Sequence, residues 1–142
     1  VNGTNSATSF SLIRTVWSDD WAYIKSKADT FYALIPLSQN SQSAAYTLVL
    51  ADAGKHILHP AADTTARTFT IPANSSVAFP IGTGITFVNQ NAAGVITIAI
   101  TTDTMRFAGT GTTGSRTLAA NGIATALKIT STEWIINGIG LS

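Results

Sequence analysis

The chain of 142 residues is long enough for one compact domain with a hydrophobic core, but too short for two full domains. Only 11% of its residues are Asp, Glu, Lys or Arg, against about 25% in an ordinary soluble domain. Its net charge of +1, without a basic cluster, argues against nucleic-acid binding, and the absence of Cys excludes disulfide bonds and thiolate metal sites.

So few charges leave much of a monomer's surface threonine-rich or apolar, and patches of that kind usually mark association sites. The composition therefore predicts that the subunit associates with copies of itself. No apolar run approaches the roughly eighteen residues of a membrane span, and the N-terminus lacks the pattern of a signal peptide. Because the chain begins at Val1 rather than Met, we expect it to be a piece of a longer protein that lacks an N-terminal part.

Residues 1–9 are small and polar, which is typical of a flexible lead-in. A helix follows, because large apolar residues recur at spacings of four and three and so form one seam. The seam consists of Trp17, Trp21, Ile24, Ala28, Phe31 and Ile35. Ser18 is a candidate N-cap, and Pro36 ends the helix.

A helix of this length is marginal in water by itself, so its seam needs a partner. Parallel copies of the same helix would provide one. An ordinary amphipathic helix lying on its own β-domain is an alternative, and so is a pair of strands at residues 12–17 and 21–25. We expect residues 1–43 to form a lead-in and a helical stalk segment, and residues 44–142 to form a β-structured head.

The hydrophobic period changes to two after residues 39–43, where a bulky face begins to alternate with a threonine face. The predicted strands are residues 46–50, 55–59, 67–71, 77–80, 84–89, 95–100, 105–108, 123–130 and 133–139. Between them lie turn residues, among them Asp52-Ala-Gly54, Gly109 to Gly114 and Asn121-Gly122. Short strands with frequent turns predict a mainly β sandwich, jelly roll or barrel.

Candidate chemistry is sparse. Gly109-Thr-Gly111-Thr-Thr-Gly114 matches a dinucleotide-binding fingerprint, but residues 115–122 are too broken for the helix that such a site requires, so we interpret it as a loop between strands. His56 and His59 are three apart in a strand and should point to opposite faces, which argues against a shared metal ion. A single-histidine metal site on a three-fold axis remains an alternative.

Hydrolysis is not expected, because the chain lacks a nucleophile elbow and its carboxylates are scattered. Asp52, Asp63, Asp103 and Glu133 would have to converge through the tertiary fold. Arg67, Arg106 and Arg116 are candidate anion- or ligand-binding residues because charge is so rare in the head, although solvated charges or ion pairs are the commoner role. We expect no catalytic residue, no metal and no cofactor.

Two segments resemble the β-structured C-terminal domain of tailed-bacteriophage fibre and needle proteins. They are Ala45-Tyr-Thr-Leu-Val-Leu-Ala-Asp-Ala-Gly-Lys55 and Thr70-Ile-Pro-Ala-Asn-Ser-Ser-Val-Ala-Phe-Pro-Ile-Gly-Thr83, and the closing Glu133-Trp-Ile-Ile-Asn-Gly138 is similar too. With the stalk ahead of it, the chain looks most like a podophage tail needle. The resemblance implies a homotrimer, in which three chains form a coiled coil that ends in a jelly-roll (TNF-like) knob.

The same resemblance implies the function and the location. The expected role is that of a non-enzymatic tip at the end of the phage tail, assembled in the host cytoplasm, which plugs the portal channel and contacts the host envelope during genome ejection. Its partners would be its own copies, an upstream coiled-coil needle shaft and the bacterial surface. The alternatives are a lectin-like head that binds surface polysaccharide, and a capsid decoration or head-fibre domain.

Overall fold

The computed structural model describes residues 18–27 and 36–142. The chain divides into two compact units, Val1–Pro36 and Leu37–Ser142. In the first unit, residues 18–27 form a helix with every side chain exposed, including Trp21 and Ile24 of the predicted seam. The other seam positions, Trp17, Ala28, Phe31 and Ile35, lie outside the described residues.

The second unit is mainly β and contains one curled sheet of nine strands, which is compatible with the predicted sandwich or jelly-roll class. A short 3₁₀ helix, Leu50–Asp52, follows the second strand. The strands are β1 (Gln39–Ser41), β2 (Tyr46–Thr47), β3 (His56–His59), β4 (Arg67–Ile71), β5 (Gly84–Asn89), β6 (Ile96–Ile100), β7 (Thr104–Phe107), β8 (Arg116–Lys128) and β9 (Glu133–Leu141).

The first six strands form two parallel layers. β1, β3 and β5 pair in one layer, and β2, β4 and β6 pair in the other. Consecutive strands therefore lie in different layers, so each connector carries the chain across the core instead of forming a hairpin. Of the described strands, only β8 and β9 are consecutive in the chain and paired with each other.

β8 joins the two layers. Its first part pairs antiparallel with β6 and its second part pairs antiparallel with β5, while β9 lies along its other edge. The pairing with β9 shifts register between Leu118 and Ile123. Asn121 has a φ of 57° within this bulge. A bulge of this kind bends a strand, which lets one strand serve both layers.

The core lies between the layers, because alternate residues of each strand point inward. Phe69 of β4 and Phe87 of β5 stack across it with ring centroids 6.5 Å apart. Trp134 of β9 is fully buried and meets the edge of Phe79 at 5.7 Å. Burial of such side chains contributes about 1.5–3 kcal/mol each, so the inward rows of the strands supply most of the stability of the head.

Two of our sequence predictions are wrong in detail. Residues 77–80 are not a strand. The backbone instead turns between Ala73 and Val77, whose N–H donates to the Ala73 carbonyl at 3.0 Å, and Pro80, which has no backbone N–H, ends the segment. Asn121-Gly122 is not a turn between strands but the bulge inside β8. The loop interpretation of Gly109 to Gly114 is confirmed, because β8 follows it where a nucleotide site would need a helix.

Candidate functional site

Arg67 forms a bidentate ion pair. Its Nε lies 2.7 Å and its Nη2 3.1 Å from the two carboxylate oxygens of Asp63. The guanidinium, with the Thr65 backbone N–H and the His59 ring, holds the pKa of Asp63 well below its usual range. The structure therefore gives this predicted anion-binding arginine an internal carboxylate as its partner.

The fully buried His59 makes hydrogen bonds through both ring nitrogens. Its Nε2 lies 3.1 Å from Asp63, and its Nδ1 lies 2.9 Å from the Asn89 side-chain oxygen. The Asn89 amide nitrogen donates to the carbonyls of Gly94 and Ala119, so its oxygen is the atom that accepts from His59. His59 therefore links the Asp63 carboxylate to the Asn89 side chain of β5.

His56 faces the opposite side of β3, as the spacing of the two histidines predicted. Its Nδ1–H donates to the Leu37 carbonyl at 3.0 Å, and its Nε2 accepts from the Gln39 amide at 3.1 Å. Among the described residues, no three His, Cys, Asp or Glu side chains come close enough together to hold a metal ion.

Arg106 and Arg116 both reach the loop at residues 108–115. Arg106 pairs with Glu133 at 2.7 Å and donates to the Gly111 carbonyl at 3.2 Å. Arg116 donates to the Thr112 carbonyl at 2.7 Å and lies 5.2 Å above the Phe107 ring. The structure thus brings two of the three predicted arginines together, while Arg67 belongs to the separate histidine cluster.

Lys128 is 1% exposed at the inner end of β8. Its Nζ donates to the Asn74 side-chain oxygen at 2.6 Å and lies 5.7 Å from the Trp134 ring centre. Asp103 in turn accepts from the Asn74 backbone N–H at 2.9 Å. Lys128 therefore anchors the loop after β4. The sequence did not reveal this role. The alternation of β8 does, however, place residue 128 on the same inward side as Ala124 and Ala126.

The carboxylates considered for hydrolysis do not face one another. Each contacts a different group: Asp52 accepts from Tyr46 and Asn40, Asp63 from Arg67, Asp103 from the Asn74 backbone and Glu133 from Arg106. Burial and the hydrogen bond to Asp52 also raise the pKa of Tyr46 above its ordinary value. These carboxylates bind parts of the fold together.

Two surface depressions have several Ser and Thr residues in their lining. The larger, of about 460 Å³, lies among Thr47, Thr70, Ser75, Ser76 and Thr101. The smaller, of about 280 Å³, includes Asp103 and Thr113 among its lining residues. Hydroxyl groups of this kind can hydrogen-bond a polar ligand such as a sugar, but neither depression pairs a nucleophile with a base.

One outer surface of the sheet combines apolar and uncharged polar residues, with the charged Glu133 at its border. We call it the isoleucine face, and it comprises ten outward residues of β3, β5, β8 and β9: His56, Leu58, Thr86, Val88, Ile123, Thr125, Leu127, Ile135, Asn137 and Ile139. Ile123 is 46%, Leu127 41% and Ile139 79% exposed.

The strand register orders this face into rows. Leu58, Val88, Ile123 and Ile139 form an apolar row, which is followed by a polar row of His56, Thr86, Thr125 and Asn137 and then by Leu127 and Ile135. In β8 the inward residues Ala124 and Ala126 are smaller than their outward neighbours. This inverted size pattern is the signal in the sequence that points to a second apolar surface.

The outer surface of the other layer is different in character. We call it the threonine face, and it comprises Thr47, Thr68, Thr70, Thr97, Ala99 and Thr117. Thr68, Thr97 and Thr117 lie side by side on β4, β6 and β8. The head therefore presents one largely apolar and one largely hydroxylated surface.

No protein-family model, curated protein or solved structure matches this chain. The candidate site therefore stands on geometry and composition. Within the described part of the chain, no helix is both long enough and apolar enough to cross a membrane.

Proposed function

We propose that this chain is a non-enzymatic structural and attachment domain, namely the homotrimeric knob at the tip of a tailed-bacteriophage tail needle or fibre. In this proposal a β-sandwich head of the jelly-roll kind stands on a three-stranded helical stalk that includes residues 18–27. The knob contacts the host envelope, and the needle plugs the portal until the genome is ejected.

The observation that carries the proposal is the combination of 11% charged residues with exposed large apolar side chains on regular strands. Ile139 and Ile123 are 79% and 46% exposed in the single chain. Contiguous apolar surface of this kind marks an interaction site. The resemblance of residues 45–55 and 70–83 to phage fibre and needle proteins supplies the phage role.

Light scattering coupled to size exclusion tests the oligomeric part of the proposal. We expect a mass of three chains of 14.8 kDa over a wide range of protein concentrations. A chain that stays monomeric at high concentration would contradict the proposal. The attachment part is tested by sedimenting the purified chain with outer-membrane vesicles of candidate hosts, with vesicles from unrelated bacteria as the control.

A carbohydrate-binding head is the second candidate. The hydroxyl-lined depression beside Thr47 and Thr70 supports it, because serine and threonine hydroxyls hydrogen-bond sugars. A glycan array separates the two candidates: selective binding that is lost in Thr70→Val supports the lectin-like role, and the absence of any glycan signal favours a plugging or piercing tip.

A further inference from the structure

We propose that the isoleucine face, and not the threonine face, is the surface through which copies of this chain join. The inference rests on the homotrimer of the proposed function and adds to it the surface that holds the trimer together. The occupant is a second copy of the same chain, and three such contacts close the ring.

The charge distribution supports a contact between identical copies. In a three-fold ring a residue close to the axis meets its own copies, so a charge there would face like charges. The ten residues of the isoleucine face include no Asp, Glu, Lys or Arg. At the border of the face, Glu133 of β9 points to the same side and forms a partly exposed ion pair with Arg106 of β7, which is paired with Ile135.

The apolar residues of this face form two rows with the polar row between them. Ile123 on β8 is paired with Ile139 on β9 and with Val88 on β5, so the row is continuous across three strands. Leu127 and Ile135 are likewise paired four residues further along the two strands. In the single chain this surface is in contact with solvent, and an identical subunit would cover it.

The polar row in the middle of the face favours a protein partner over a lipid surface. The Thr86 and Thr125 hydroxyls bond each other at 3.0 Å, and the Asn137 side-chain oxygen accepts from the Gly138 N–H. Within the described residues the amide nitrogen of Asn137 has no partner, so it can donate to an acceptor on another copy. Hydrocarbon would leave these groups unsatisfied.

The test uses the full chain and one lysine on each face. Thr125→Lys places three like charges around the proposed contact, whereas Thr97→Lys makes the same change on the threonine face. Light scattering over a dilution series measures the trimer, and circular dichroism with thermal unfolding checks that each variant is folded. Ile139→Lys, at a 79% exposed position, serves as a second variant if Thr125→Lys fails to fold.

We expect wild type and Thr97→Lys to be trimers. The Thr125→Lys trimer should already dissociate at a protein concentration more than about 100-fold higher than the one at which the wild-type trimer dissociates. A trimer that is intact in Thr125→Lys and Ile139→Lys would overturn the assigned surface and leave the proposed function standing. Dissociation of Thr97→Lys alone would also overturn it. A monomeric wild type would overturn both, and its sedimentation with phosphatidylethanolamine–phosphatidylglycerol vesicles would show the face to be lipid-binding.

Discussion

At the scale of single residues, Lys128 is the most unusual side chain of the head. An ammonium buried to 1% exposure normally has a carboxylate partner, yet the acceptor here is the neutral Asn74 oxygen, with the Trp134 ring nearby. Asn74 is only half-buried, so water can hydrogen-bond its side chain if Lys128 is removed. Water reaches the buried Lys128 less easily if Asn74 is removed. The two residues should therefore respond unequally to substitution.

We expect Asn74→Ala to lower the free energy of unfolding by about 1.5–3 kcal/mol, because it leaves the buried ammonium without its acceptor. Lys128→Met should cost less, since it removes the buried charge and leaves only the half-buried amide unpaired. Urea unfolding of the two variants and the wild type makes the comparison. A larger loss in Lys128→Met than in Asn74→Ala would contradict this account of the contact.

The Asp63 cluster predicts a pH dependence. The pKa of Asp63 is lowered in the folded chain, so its contribution to stability is complete above the ordinary carboxyl value of 3.8 and is lost as pH falls towards the folded value. Asp63→Asn should therefore be less stable than wild type at pH 7, and the gap should narrow below pH ~4.

Urea unfolding at several pH values measures this gap. Asp19→Asn, on the exposed helix, is the matched control and should follow wild type at every pH. If the gap between Asp63→Asn and wild type is the same at pH 7 and pH 3, the carboxylate is not the source of the effect.

At the scale of elements, β8 and β9 approach each other closely at Gly138. A Cβ added there would lie 2.5 Å from the Ala124 Cα and 2.6 Å from its Cβ, so the strands could not keep their register. Gly138→Ala should cost about 1–3 kcal/mol. Gly84→Ala on β5 is the matched control, because a Cβ there meets nothing within 4 Å. Thermal unfolding compares the two, and equal melting temperatures would contradict the close approach.

Strand positions were largely predictable, and strand partners were not. Alternation located β3, β4, β5 and β9 to within one or two residues, because one face of each strand is buried. The parallel pairing of the layers could not be predicted from the sequence. The same types of turn residue occur in hairpins, which join paired strands, and in connections that cross from one layer to the other. β1 was missed because Gln39, Asn40 and Ser41 are polar and pair through their backbone.

The composition predicted that the head has an interacting surface, but the sequence did not identify the residues that form it. Low charge indicated a surface covered by other copies, but alternation in β8 was ambiguous, because both its inward alanines and its outward Ile123 and Leu127 are apolar. Which side faces the core is decided by the facing layer. The three arginines were chosen for their rarity, and the internal partners of Arg67 and Arg106 depend on folding that brings distant strands together.

At the scale of the whole molecule, the stalk makes its own prediction. If the seam of residues 17–35 joins parallel helices, Ile24→Asp should weaken the trimer, because three carboxylates would meet along the seam. Ala22→Asp, on the opposite side of the helix, is the control and should leave the mass unchanged. Both positions are exposed in the single chain, so neither change disturbs its core. Light scattering that finds the same mass for Ile24→Asp and wild type would refute the seam.

The position of β8 late in the chain has a consequence for biosynthesis. The layers of β1, β3, β5 and of β2, β4, β6 are complete by Ile100, but the strand that links them begins only at Arg116. A nascent polypeptide emerging from the ribosome therefore lacks the strand that joins its two layers until translation is nearly finished. Until then the apolar inner side chains of both layers are incompletely covered. If translation ends before Lys128, the truncated chain cannot complete the sheet, and its exposed apolar segments are substrates for chaperones and proteases.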